Sequence, residues 1–137
     1  MKKYLLDTNI CIYFLKGLYR LDEKIEQAGQ FNCFISEITV AELKFGAANS
    51  AKVKENTKLF NAFINKFTVL PVYPAFNLYA SEKARLRKAG KPIDDFDLLI
   101  GATAITNKLI LVTKNVKDFE RMQKIKIRDW TITDVKQ

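Results

Sequence analysis

Short apolar runs alternate along this chain with longer segments of helical period. Residues 4–6 (Tyr-Leu-Leu) form an apolar run that stops on Asp7-Thr8-Asn9. This reads as a buried strand turning into a helix. The pattern then predicts helices over residues 9–16, with Ile10, Ile12, Tyr13 and Leu15, and over 21–28, with Leu21, Ile25 and Ala28 on one face. Gly17 and Gly29 stand where helices of this kind stop. Residues 31–35 are bulky and short and predict a second strand, and Ser36-Glu37-Ile38-Thr39 turns from it into a helix reaching about residue 48.

Residues 52–67 carry Phe60, Phe63, Ile64 and Phe67 as an inward stripe of a longer amphipathic helix. A strand at 68–72 contains Pro71, which cannot donate to a ladder, so it lies at an edge or ends there. A helix over 76–89 closes at Gly90. The next, over 94–106, turns Leu98, Leu99, Ala102 and Ile105 inward. Residues 109–112 form an unbroken apolar strand, followed by a loop at 113–115, a short helix at 118–122 and a last strand at 125–127.

Strands alternating with helices predict an α/β fold. The expected architecture is three-layered, with a central, mostly parallel, twisted sheet of about four to five strands and helices on both faces. No repeat or linker interrupts the 137 residues, which suit one domain over 1–137.

Charge narrows the partners. Lys and Arg total 23 against 15 Asp and Glu, a net charge of +8. A surplus of that size on a small domain suits a polyanion, with nucleic acid the first candidate, although a generally basic protein fits it too. Lys83, Arg85, Arg87 and Lys88 crowd one helix, and Arg85, Arg87 and Lys88 are the candidate RNA-binding residues. There is no histidine. Histidine triads, histidine zinc sites and histidine acid–base cleavage of RNA are therefore excluded. Cys11 and Cys33 lie in apolar stretches without a CxxC pair and read as buried free thiols. The first apolar run ends after three residues, so no signal peptide is expected, and a cytoplasmic location is.

The candidate chemistry lies in acids at the ends of elements. Asp7 follows the first strand, Glu42 lies on the helix after the second, and Asp97 lies in the first turn of a later helix. Asn115 and Asp118 follow the apolar strand at 109–112. In a parallel sheet, Asp7 and Asn115 share the carboxyl edge, where ligands bind. Crowded carboxylates repel unless a cation compensates them, and oxygen donors alone suit Mg²⁺ or Mn²⁺. Bland alternatives remain open. Asp7 or Thr8 can cap a helix, as can Asp94 or Asp95; Asp97 can complement the helix dipole; Glu42 can face solvent; and Asp118 can start a helix.

Four blocks, in order, carry a resemblance. They are Leu5-Leu6-Asp7-Thr8-Asn9, then Ile35-Ser36-Glu37-Ile38-Thr39-Val40-Ala41-Glu42-Leu43 with Gly46-Ala47, then Gly90-Lys91-Pro92-Ile93 through Phe96-Asp97-Leu98-Leu99-Ile100, and Val112-Thr113-Lys114-Asn115-Val116-Lys117-Asp118-Phe119. Together they resemble PIN-domain ribonucleases, and above all the VapC toxins of bacterial toxin–antitoxin pairs. The ending Arg128-Asp129-Trp130 is similar to members of this group. The resemblance implies an endoribonuclease dependent on Mg²⁺ or Mn²⁺, with Asp7, Glu42 and Asp97 as catalytic residues and metal ligands. It implies supporting roles for Thr8, Asn9 and Thr113. At the family's fourth acidic position this chain has Asn115, so either Asn115 or Asp118 completes the site. The resemblance further implies an antitoxin partner of the VapB kind, a homodimer, and an RNA substrate, with a tRNA anticodon loop (initiator tRNA) as the expected target. Two rivals remain: a non-catalytic nucleic-acid-binding module, and a metal-dependent DNA nuclease.

Overall fold

The computed structural model describes residues 1–132. In chain order the elements are β1 (Tyr4–Leu6), α1 (Thr8–Leu15), α2 (Leu21–Ala28), β2 (Cys33–Ser36), α3 (Glu37–Ala48), α4 (Val53–Ile64), β3 (Thr68–Leu70), α5 (Phe76–Lys88), α6 (Asp95–Thr106), β4 (Ile110–Val112), α7 (Val116–Phe119) and β5 (Ile127–Arg128). The five strands form one parallel sheet in the order β3-β2-β1-β4-β5.

Alternation along each strand builds the two cores. Leu5 and Leu111 face a core shared with Leu86, Leu98 and Ile100, which come from α5 and α6. Leu6, Ile35 and Val112 face the other, shared with Ile10, Leu21, Leu43 and Phe63 from α1 to α4. The sheet is thus covered on both sides, as the α/β alternation predicts. Cys11 and Cys33 are buried free thiols in the second core.

The order of the strands matters most for function. The chain moves outward from β1 through β2 to β3, then returns to the other side of β1 with β4 and β5. The reversal falls between β1 and β4, the switch point where α/β sheets open a crevice. The register pairs Leu6 with Val112, so Asp7 and Thr113 leave the sheet side by side. The Asp7 N–H donates to the Val112 carbonyl at 2.9 Å.

Several boundaries differ from the pattern. The second strand begins at Cys33, because Gly29 (φ +93°) starts a 3₁₀ turn at Gln30–Asn32 that leaves Phe31 93% exposed. The edge strand β3 ends at Leu70, before Pro71, as expected. The short helix begins at Val116 rather than 118, led in by Asn115 at its N-cap position, and β5 is Ile127–Arg128 rather than 125–127. In α6, Leu98 and Ala102 are buried, whereas Leu99 and Ile105 are only half-buried. Ile100, Gly101, Thr103 and Ala104 are buried instead, because α6 is wrapped by neighbours on nearly all sides. Gly101 leaves room for the Met122 sulfur, which lets the segment after α7 lie close to α6.

Candidate active site

Asp7, Thr8, Asn9, Ile12, Ala41, Glu42, Phe45, Gly46, Phe96 and Asp97 line a cleft of about 680 Å³ at the carboxyl edge of the sheet. Three elements deliver its acids. Asp7 ends β1, Glu42 lies on α3, and Asp97 lies in the first turn of α6. Phe45 and Phe96, both exposed, form apolar walls that the sequence pattern did not single out.

Asp7 is only 3% exposed. Its Oδ1 accepts the Thr8 N–H at 2.8 Å, so it also caps α1. Its Oδ2 accepts the Thr113 hydroxyl at 2.7 Å. Capping and a place in the cleft are therefore compatible roles of one side chain. Burial still dominates and raises its carboxyl above the ordinary carboxylate range, opposed by the bonds from Thr113 and Thr8.

Glu42 does not point to open solvent. Its Oε1 accepts the Thr8 hydroxyl at 2.6 Å, and the Thr8 oxygen lies 2.9 Å from that of Thr39. Thr8 has one proton and gives it to Glu42, so Thr39 is the donor in that second bond. Thr39, fully buried, is the group the sequence reading missed. The signal was present: Thr39 lies three residues before Glu42 and so on the same helix face.

Asp97, like Asp7, holds its proton more tightly than a free carboxyl. Its carboxyl is pushed up to about 7, first by burial and then by the charges of Asp7, Asp94, Glu42 and Asp118. Asp94 performs the capping expected near it, accepting the Phe96 N–H at 3.1 Å. Asp95 pairs with Lys83 at 2.8 Å. Helix-end duties thus fall to neighbours.

At the fourth position, Thr113 accepts the Asn115 N–H at 2.9 Å, and the Asn115 amide donates to Asp118 Oδ2 at 3.1 Å. Arg121 reaches Asp118 at 3.4 Å and donates to the Pro92 carbonyl at 3.0 Å. Asp118 is thus both held and near enough to act on Asp97, whereas Asn115 connects Thr113 to it. Of the basic residues proposed for RNA, Arg87 and Lys88 are exposed. Arg85 is engaged elsewhere: it makes bonds of 2.7 and 2.9 Å to buried Glu82 and 2.7 Å to the Arg121 carbonyl. An arginine at the right helical position looks basic in sequence whether or not its fork is already occupied.

Among the described residues, no lysine or arginine lines the cleft and none pairs with Asp7, Glu42 or Asp97. The acids line a common cleft without converging, and no three potential ligands are drawn close together among the described residues. Also among the described residues, no helix is long and apolar enough to cross a membrane.

Comparison with known proteins bears on the family and the fold. The PIN-domain family model matches residues 4–125. The protein named Ribonuclease VapC2 of Haemophilus influenzae is 38% identical over 133 residues, covering 95% of this chain and 99% of that one. The tRNA(fMet)-specific endonuclease VapC of Shigella flexneri is 32% identical over 132 residues, covering 96% of this chain and all of that one. The crystal structure of DNA-bound VapBC from Salmonella typhimurium superposes with a TM-score of 0.89 at 32% identity, over 95% of this chain and 99% of its counterpart. The chain belongs to the PIN-domain family and, within it, stands with the VapC proteins.

Proposed function

We propose that this protein is a divalent-cation-dependent endoribonuclease, the toxin of a toxin–antitoxin pair, with Asp7, Glu42 and Asp97 as its catalytic carboxylates and cation ligands. The observation that carries the reading is a cleft in which three acids lie without a basic partner. Such acids favour a cation, and their all-oxygen donor set suits Mg²⁺ or Mn²⁺. A bound cation there would polarise a phosphodiester and a water. The chain's own contribution is to hold the acids ready. Thr113 fixes Asp7, while Thr39 and Thr8 fix Glu42. The raised affinity of Asp97 for a proton reflects burial first and then repulsion from the neighbouring acids, and a cation would offset both.

The reaction is hydrolysis. A water oxygen bonds to phosphorus, the bond from phosphorus to the 3′ oxygen breaks, and the leaving oxygen takes up a proton. The products carry a 5′-phosphate and a 3′-hydroxyl. The absence of histidine in the chain fits this route better than cleavage through a 2′,3′-cyclic phosphate. A tRNA substrate is supported by the name of the Shigella relative, and a VapB-like antitoxin partner by the VapBC complexes among the structural neighbours. A toxin homodimer within that complex completes the reading.

The test is cleavage of bulk tRNA by purified protein, with Mg²⁺ or Mn²⁺, with EDTA, and after Asp7→Asn. Cleavage that needs the cation and Asp7 and leaves 5′-phosphate ends supports the reading. Cleavage that survives EDTA and the substitution, or leaves cyclic phosphate, overturns it. Preference for DNA over RNA in competition would move the activity to a DNA nuclease. Salt-sensitive binding without cleavage, unchanged by Asp7→Asn, would leave a binding module.

A further inference from the structure

Beside the cleft, on the β1 side, lies a cluster that the catalytic reading leaves unexplained. Asn9 and Ile12 of α1 line the cleft, and Tyr13 stands one helical turn beyond Asn9. The Tyr13 and Tyr19 rings meet edge to face, 5.2 Å apart at 73°. Lys114 comes from the loop after β4, the strand beside β1, directly after the Thr113 that holds Asp7. Its ammonium donates to the Tyr19 hydroxyl at 3.2 Å and lies 5.3 and 5.7 Å from the centres of the two rings. One ammonium proton goes to Tyr19, so the group keeps donors for a further acceptor.

The backbone beneath this cluster is strained. Tyr19 (φ +61°) and Arg20 (φ +54°) are consecutive left-handed residues without being glycine. Each such residue is costly, and strain of this kind persists where the surroundings enforce it, often at functional sites. Burial does not account for it, because Tyr19 remains 39% exposed. The turn spends its strain on displaying a ring and a guanidinium at the surface. Beyond it, Arg20, Lys24 and Trp130 line a hollow of about 520 Å³, with Glu23 as its one acid among the described residues.

We propose that Tyr13, Tyr19 and Lys114, with Arg20 beside them, form a subsite for an unpaired RNA nucleotide next to the cleft. The proposal rests on the ribonuclease reading for its substrate class. The Tyr19 ring offers a stacking face to a base, and Lys114 and Arg20 offer charge to the adjoining phosphate. The strand then crosses from the hollow, over the tyrosines, to the scissile bond above Asp7. An acidic peptide would use the two charges but not the ring, and neither would it need a place against the cleft.

The experiment is binding of a fluorescein-labelled stem-loop RNA to the Asp7→Asn protein, followed by anisotropy over a salt series. Tyr19→Ala is expected to weaken binding about tenfold through lost stacking. Lys114→Gln is expected to weaken it about fivefold and to lower the slope of log Kd against log salt by about 0.7, one phosphate contact. Tyr19→Phe keeps the ring and stays within about twofold of the parent. Lys114 is exposed, so Lys114→Gln carries the test if Tyr19→Ala fails to fold. Unchanged affinity and slope in Lys114→Gln and Tyr19→Ala overturns the subsite, as does an absence of RNA binding by the parent. A wild-type protein that binds RNA with these dependences but does not cut it keeps the subsite and defeats the ribonuclease reading.

Discussion

Glu82 and Asp97 are both acids on helices packed against the same face of the sheet, yet the protein treats them oppositely. Glu82, on α5, accepts two bonds from Arg85 and one from the Gln123 N–H at 2.9 Å. The Arg85 guanidinium, the leading cause, holds its carboxyl below the usual range. Asp97, on α6, meets burial and four other acids, and its carboxyl rises to about 7. Asp95, two residues earlier, behaves like Glu82, lowered by its bond from Lys83 and then by Tyr79. The fold can therefore supply a base to an acid in this region. It does so where an acid serves the scaffold and withholds one where the acids line the cleft. Withheld compensation is what sets the acids of the cleft apart from those of the scaffold.

Breaking each side of this contrast gives different outcomes. The largest effect is expected at the cleft. Asp7→Asn or Asp97→Asn should lower RNA cleavage at least about a hundredfold while circular dichroism stays unchanged, since a lost ligand costs no less than a lost supporting group. Next is the scaffold side. Glu82→Ala leaves the Arg85 fork and the Gln123 N–H without their acceptor, and should cost about 2–3 kcal/mol in urea unfolding. Its remaining folded protein should cleave normally. The Glu82 carboxyl has a lowered proton affinity in the folded state. Its contribution is therefore present above the ordinary carboxylate range and is lost as pH falls through the lowered value.

Thr113→Val removes the hydroxyl that holds Asp7 Oδ2 and should reduce cleavage or cation affinity about tenfold without unfolding the protein. A smaller effect, opposite in sign to the scaffold's, is expected from Asp97→Asn in EDTA. An acid whose folded value is about 7, against an ordinary 3.8, binds more protons when folded, so its ionisation destabilises the fold as pH rises through that window. Asp97→Asn should therefore raise the melting temperature most at pH 8, less at pH 5, and lose that advantage only as pH falls toward 3.8. Added Mn²⁺ should stabilise the parent more than the variant. The smallest effect is at the exposed pair: Lys83→Met should leave the melting temperature unchanged, because exposed ion pairs contribute little.

Much of this molecule is legible in one dimension. Period-two and period-3.6 patterns yield the alternation of strands and helices, Pro71 ends an edge strand, and Asp7, Glu42 and Asp97 stand out as acids in apolar or helix-starting settings. The misreadings come from a common cause. A stripe rule that presumes one buried face turns Leu99 and Ile105 inward, but α6 is buried almost all round. Phe31 looked like strand because it is bulky, although Gly29 had already turned the chain.

Local pattern, charge and the missing histidine are properties of neighbours along the chain, and the sequence by itself determined them. It determined an α/β alternation, a basic balance of charge, and a chemistry without histidine. Partnership across the fold is another matter. That Thr113 holds Asp7, that Thr8 carries Thr39's bond on to Glu42, and that Lys114 lies over Tyr13 and Tyr19 depend on strand order and register. The same holds for Arg85, whose charge reads as a contact for RNA until its guanidinium is seen to be taken up by the buried Glu82. Hydrogen bonds and charge pairs act over a few ångströms, and residues separated by 106 positions come within that range only when the sheet closes between β1 and β4.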